Sequence, residues 1–208
     1  MPSASLDTIF PFVVPELPGA PEPTIIKAAA EAVTEFCRRT QCWRTSQDIL
    51  LSSSPDYAPL PPIVDGEVDQ IAFVRYGDRL LRPVHASTAA AVTISGDEPR
   101  CFYVRAPGVI HIAPTPAGAI IGTIITAEVT WRLARDATSW DEDLLNHYIY
   151  AIAAGTKARL MRMAGTTWSN PAGAIDYAAQ FATEMRNARI EATRGFSHAT
   201  LRVAARAF

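Results

Sequence analysis

The stretch from Ser139 to Ala192 constrains this chain more than any other, because it encodes two amphipathic helices that cannot stand alone. Ser139-Trp140-Asp141-Glu142 reads as a capping box, with the Ser139 hydroxyl taking an orphan backbone N–H and Glu142 reaching back to the cap. Asp141, Glu142 and Asp143 place negative charge in the first turn, where the helix dipole favours it. Leu145, Tyr148, Ile149, Ile152, Thr156, Leu160 and Met163 then recur at three- and four-residue steps and form one apolar face. Gly165 is expected to stop this helix. Asn170 is a good N-cap for the next, and Pro171 suits its first position, where a missing N–H leaves nothing unpaired. Tyr177, Phe181, Met185, Ala188 and Ala192 supply the second stripe, and the short connection predicts an antiparallel hairpin.

A third helix is expected over Thr24–Cys42, with Ile26, Ala29, Ala30, Val33, Phe36 and Cys37 on its apolar face. Ahead of it, Phe10-Pro11-Phe12-Val13-Val14-Pro15 and Pro18-Gly19-Ala20-Pro21-Glu22-Pro23 are too rich in proline for a helix or a central strand, so residues 1–22 are expected to form an extended arm. Between Trp43 and Trp131 the pattern changes to β: a short strand at Ile49–Ser53 and a proline-rich loop at Pro55–Pro62. A hairpin follows, Val68–Tyr76 and Leu80–Val84 about Gly77-Asp78, then a weak strand at Ala91–Ser95. A second hairpin runs Phe102–Arg105 to Val109–Ile112, and a long strand covers Ile120–Leu133.

The expected fold is therefore α+β. A helical bundle forms from the N-terminal helix and the C-terminal helical hairpin (residues 23–43 and 139–194), with an antiparallel β-sandwich or barrel-like region inserted at 44–138. Extended arms flank it at 1–22 and 195–208. The last arm carries Arg202 and Arg206 without an acid, alternates Leu201-Arg202-Val203, and ends on Phe208, which suits docking on another surface.

Charge is unevenly placed. Residues 1–150 hold 11 Lys+Arg against 18 Asp+Glu, and residues 151–208 hold 8 against 3, although the whole chain is only −2. An acidic body with a basic C-terminal part is the pattern of a protein that docks by one end. No basic run exists that would grip nucleic acid, and no apolar run reaches the roughly 18–20 residues of a membrane span. The N-terminus lacks a basic region before its short apolar run, so no secretory signal is expected. Cys37, Cys42 and Cys101 have no metal-ligand spacing and read as reduced thiols, with Cys37 on a core face.

Chemistry-bearing constellations are missing from the pattern. His85, His111, His147 and His198 are scattered, none at ligand spacing to another His, Cys or Glu. Asp141 and Asp143 are better explained by helix capping than by acid–base work. No Gly-rich phosphate loop follows a strand, and Ser139, Ser169 and Thr40 lack the glycines of a nucleophile elbow. Gly155 sits inside a helix, where it costs about 1 kcal/mol against alanine, so a close helix–helix contact is its expected reason. Neither catalysis nor a cofactor or metal is expected. A chain with arms at both ends and no site reads as part of an assembly, with Phe10, Phe12 and Val13 of the first arm lying on a neighbouring subunit.

Four segments carry a resemblance. They are Phe10-Pro11-Phe12-Val13 with Pro18-Gly19-Ala20-Pro21-Glu22-Pro23; Thr34-Glu35-Phe36-Cys37-Arg38-Arg39-Thr40-Gln41-Cys42-Trp43; Ile71-Ala72-Phe73-Val74-Arg75-Tyr76-Gly77-Asp78-Arg79-Leu80; and Ala153-Ala154-Gly155-Thr156-Lys157-Ala158-Arg159-Leu160 followed by Trp168-Ser169-Asn170-Pro171. In these the chain resembles the head-to-tail adaptor (connector) proteins of tailed bacteriophages. The resemblance implies a structural virion protein, assembled in the host cytoplasm, that forms a ring of about twelve copies beneath the portal. A C-terminal arm would dock on the portal, the opposite face would receive a tail or neck protein, and DNA would pass only transiently through the lumen. The basic segment of Arg186, Arg189, Arg194, Arg202 and Arg206 would then face an acidic portal surface, with Arg194, Leu201, Arg202, Val203, Arg206 and Phe208 as the docking set. A tail terminator or another neck ring protein is the neighbouring reading. A β-sandwich binding module is the reading from a different class, and it would need an exposed aromatic platform among Phe73, Tyr76, Phe102 and Tyr103.

Overall fold

A computed structural model describes residues 2–50, 57–87, 98–114 and 124–195. In chain order the elements are β1 (Ser3–Ser5), a 3-10 turn (Leu6–Ile9), α1 (Phe10–Val13), α2 (Glu22–Thr40), β2 (Arg44–Leu50), β3 (Tyr57–Pro59), β4 (Gly66–Tyr76), β5 (Arg79–Leu80) and β6 (Arg82–Pro83). They continue with β7 (Cys101–Val104), β8 (Val109–Ala113), β9 (Ile124–Leu133), β10 (Ser139–Asp141), α3 (Glu142–Met161) and α4 (Pro171–Arg194). The fold is mixed α+β, and the chain divides into two compact units, Met1–Cys42 with Leu133–Phe208, and Trp43–Arg132.

In the first unit α2, α3 and α4 pack on one another. α2 buries Ile25, Ala28, Ala29, Ala32, Val33, Phe36, Cys37 and Thr40. The apolar face is thus turned slightly from the expected one: Ile25, Ala28 and Ala32 are inside, while Ile26 and Ala30 are only half-buried. Two helices and the N-terminal segment all lie against α2, and a wide stripe serves them together. α2 ends on Gln41, a non-glycine residue in the left-handed region (φ 56°) whose N–H reaches the Cys37 carbonyl at 2.8 Å. α3 runs from a cap two residues later than the sequence suggests. Asp141, not Ser139, accepts from the Leu144 N–H. Ser139 and Trp140 are drawn instead into β10, which pairs antiparallel with β1. α3 is buried without interruption from Ala151 to Ala158 and ends at Met161, ahead of Gly165. Asn170 caps α4 as expected, accepting from the Gly173 N–H with Pro171 in the first turn.

Residues 2–17 depart from the expected extended arm. After β1 they turn through a 3-10 segment into α1, and Leu6, Ile9, Val13 and Leu17 are fully buried in the same unit. Their three- and four-residue spacing gives a helical face that proline density obscures. Pro11 falls in the first turn of α1, where a missing N–H is harmless. The Leu6 N–H donates to Thr138 O and the Glu142 N–H to Pro2 O, so the segment is stitched to the entry of α3.

The second unit holds two four-stranded sheets, ordered β2-β9-β4-β5 and β3-β8-β7-β6. β9 alternates inward Ile125, Ala127 and Val129 with half-buried Thr126 and Glu128, and Trp131 donates its indole N–H to Thr45 Oγ1 at 2.7 Å. β2 pairs with β9 from Arg44↔Thr130 to Leu50↔Ile124, five residues earlier than the expected strand at Ile49–Ser53. β3 lies inside the proline-rich stretch expected to be a loop, which an edge strand tolerates because Pro59 needs no partner for its nitrogen. The two predicted hairpins are present as β4–β5 and β7–β8. The first is shorter than expected: Leu81 still donates to Val74 O, but Arg82 and Val84 donate to Arg100 O and Phe102 O. β6 therefore leaves for the other sheet and pairs parallel with β7, against the expectation of purely antiparallel strands. The expected strand at 91–95, and the ends at 51–53 and 120–123, lie outside the described residues.

Gly155 has the reason its sequence position suggests. A Cβ built there would stand 2.9 Å from the Phe181 ring of α4, too close without displacing a buried side chain. Gly155→Ala is expected to lower stability despite alanine's better helix propensity of about 1 kcal/mol, because overpacking costs about 1–3 kcal/mol. Urea unfolding should place its midpoint below that of the parent, and Phe181→Leu in the same chain should recover part of the difference.

Candidate assembly interface

The N-terminal segment builds the first surface. Phe12 sits edge-on to Tyr150 of α3, with ring centroids 5.3 Å apart and planes at 80°. Tyr150 is 69 % exposed, and Val14, two residues on from Phe12, is also exposed. Of the three residues expected to reach a neighbouring subunit, Val13 is fully buried in its own core and Phe10 and Phe12 are half-buried. Val13 is thus unavailable as an inter-subunit contact while the segment keeps this seat, because its burial is what holds the segment down.

Further along, a polar cluster ties the segment to both C-terminal helices. Lys157, inside the buried run of α3, pairs with Glu16 at 2.5 Å, and its side chain is only 10 % exposed. Tyr177 of α4 donates its hydroxyl to the other Glu16 oxygen, and its ring lies 4.8 Å from the Lys157 ammonium. A buried ammonium needs a counter-charge, and Glu16 supplies it from the more solvated side. Hydrogen bonds from Lys157 and Tyr177, opposed by modest burial, hold the Glu16 carboxyl below its ordinary range. The same hydrogen bond is the main cause that pushes the Tyr177 phenol up to about 12. The sequence hint was a lysine in the middle of Ala153–Ala158, but nothing local pointed to residue 16 as its partner.

Arg159 ties α2 to α3. It pairs with Glu35, donates to Gly155 O at 2.8 Å, and lays its guanidinium 5.5 Å from the Phe181 ring centroid. Tyr148 packs 4.8 Å from Phe36 and donates to Glu191 at 3.2 Å. Burial first of all, then the neighbouring Cys42 and Glu191, drives its phenol far above its usual range.

α4 forms the second surface. Arg186 and Arg189 are exposed, and neither makes an ion pair with a described residue. Arg194 closes the helix ahead of Gly195, which takes the left-handed conformation at φ 64°. Leu201, Arg202, Val203, Arg206 and Phe208 of the expected docking set lie outside the described residues, as does His198.

The remaining sequence candidates are dispersed. His85 hydrogen-bonds Ser87 Oγ at 2.9 Å, His111 stacks on Tyr103 at 4.9 Å, and His147 lies 3.4 Å from Glu191. Among the described residues no group of three His, Cys, Asp or Glu side chains could hold a metal ion, and no helix is long and apolar enough to cross a membrane. Of the proposed aromatic platform, Phe102 is buried, while Phe73, Tyr76 and Tyr103 are half-buried. Arg75 covers Phe73 and Arg105 covers Tyr103.

The Glu16 cluster has a pH signature. A carboxyl held below its ordinary value of 4.5 in the folded chain adds stability that is complete above that value. The contribution is lost as pH falls through the lower folded value. Glu16→Gln should therefore reduce the melting temperature at pH 7, and the gap to the parent should close as pH falls below 4.5. A constant gap across that window, in thermal melts followed by circular dichroism, would remove the carboxylate as the source of the effect.

No curated protein matches the chain. The family model described as SU10 adaptor protein matches residues 7–204, nearly the whole sequence and both structural units. The chain belongs to the SU10 adaptor protein family, a family of phage head–tail adaptors.

Proposed function

We propose that this protein forms the head-to-tail adaptor ring of the virion neck, between the portal and the tail. The family match over residues 7–204 carries this reading. Copies would close a ring of about twelve, matched to the portal, with a heterologous contact repeated around the axis. The excess of cations after residue 150 supports docking by that end, with Arg194, Leu201, Arg202, Val203, Arg206 and Phe208 meeting an acidic portal surface. The opposite face would receive a tail or neck protein. The genome would pass through the lumen without being gripped, which suits a chain of near-neutral net charge. The work of such a protein is mechanical and adhesive rather than catalytic.

Two measurements test the reading. Quantitative mass spectrometry of purified virions should give close to one copy of this chain per portal copy. Its absence from virions would overturn the reading, and about half a copy would move the protein to a six-fold ring at the tail terminator. Removing residues 199–208 should abolish capture by the portal while leaving the circular dichroism spectrum and melting temperature unchanged. A truncated protein that still binds the portal would show that the anchor lies elsewhere.

A further inference from the structure

The outward side of α4 is unusual for a solvated helix face. Ile175 and Ile190 are 67 % and 42 % exposed, at either end of a stripe that also carries Arg186 and Arg189. At about 100° per residue these four positions fall within one sector of the helix; Asp176 borders it, about 40° from Ile190, while Glu184 and Glu191 fall on the opposite side. The apolar and basic side chains therefore share one surface, with Asp176 at its edge about three turns before Arg186 and Glu184 and Glu191 turned away from it.

The N-terminal patch has the opposite chemistry. Tyr150 and Val14 expose apolar area beside Phe12, and the first turn of α3, ahead of a kink at Tyr148 (φ −109°, ψ 16°), carries Glu142 and Asp143. Glu142 and Asp143 are exposed, and neither makes an ion pair with a described residue. The unit thus presents an aromatic patch on the helix whose first turn is acidic and an isoleucine stripe that carries two arginines, none of these charges ion-paired among the described residues.

The two surfaces cannot meet within one subunit. Tyr177, which reaches the N-terminal segment through Glu16, lies about 140–160° around α4 from Ile175 and Ile190. The isoleucine stripe therefore points away from the N-terminal patch. Two complementary surfaces facing different ways on one chain are what a heterologous contact requires, and repeating it generates a ring when the rotation closes.

We propose that the α4 stripe of one copy, Ile175 and Ile190 flanked by Arg186 and Arg189, docks on the Phe12–Val14–Tyr150 patch of the next copy. The inference rests on the ring reading above and specifies its subunit contact. It takes Arg186 and Arg189 away from the portal surface to which the sequence alone would send them. Isoleucine and tyrosine would form the dry centre of the contact, with Arg186 and Arg189 facing Asp143 and Glu142 at its rim, where charges set partner choice and register.

The test uses the full chain assembled on purified portal. One preparation carries Val14→Cys and another Ala182→Cys, both at exposed positions. The two are mixed, bound to the portal and treated with a short bismaleimide. A cross-linked pair should form in the mixture and in neither preparation alone. Adding Arg186→Glu and Arg189→Glu to the Ala182→Cys copy should abolish the pair, and Asp143→Arg in the Val14→Cys copy should restore it. Portal binding in full amount without any mixed cross-link would overturn this contact and leave the ring reading standing. Failure of the unaltered chain to bind portal at all would overturn the ring reading, and this contact with it. Retention of the cross-link by the charge-reversed protein would also overturn the proposal. So would loss of portal capture with the cross-link intact, which would assign the arginines to the portal.

Discussion

The ring of Phe36 touches the entry or body of every other long element in its unit: Trp140 at 6.4 Å, Tyr148 at 4.8 Å and Phe181 at 6.1 Å. Those contacts join α2 to β10, α3 and α4 at one point. Burying such a side chain is worth about 1.5–3 kcal/mol, and truncating it in a packed core removes about 3–5 kcal/mol. Gly155 is the counterpart of this cluster, because only a residue without a Cβ lets Phe181 approach α3 closely enough to join it. Arg159 then lays its guanidinium over the Phe181 ring and reaches Glu35, so the polar edge of the cluster is tied to α2 as well.

The N-terminal segment depends on this platform. Leu6, Ile9, Val13 and Leu17 are each fully buried, and each contributes about 1.5–3 kcal/mol. An ion pair with one exposed member is worth about 0–1 kcal/mol. The apolar anchors therefore hold the segment in place. The Glu16 cluster serves a different end, since Lys157 inside α3 would otherwise be left buried without a counter-charge. Anchoring residues 2–17 so firmly turns Phe12 and Tyr150 into a fixed patch instead of the tip of a loose arm, and a rigid patch binds with less ordering cost.

Several features were legible in the chain because their causes are local. The two β-hairpins announce themselves by glycine turns between β-branched and aromatic runs. Asn170 and Pro171 mark the start of α4 through the chemistry of a helix N-terminus, and Gly155 marks a close approach. Where reasoning from residues failed, a distant partner had intervened. Ser139 is a good cap in isolation, but pairing with Ser3–Ser5 makes it a strand residue and passes the cap to Asp141. The strand after Trp43 starts earlier than its apolar run because its register is set by β9, about eighty residues away. Pro83 and its neighbours leave one hairpin for a parallel partner in another sheet, which no local pattern encodes.

Sequence by itself determined the fold class, the three long helices, the hairpins, the uneven distribution of charge and the likeness to phage adaptors. The first four follow from periodicity, turn chemistry or composition within short stretches, and the likeness rests on the four segments that resemble the adaptors. Tertiary structure alone decided that the proline-rich N-terminus is a packed segment, that Lys157 answers to Glu16 and Tyr177, and that Tyr150 is left facing outward beside Phe12. The reason is the same in each case. Burial and ion pairing are settled between residues far apart in the chain, and the spacing of residues along a sequence carries no record of which distant surface will cover them.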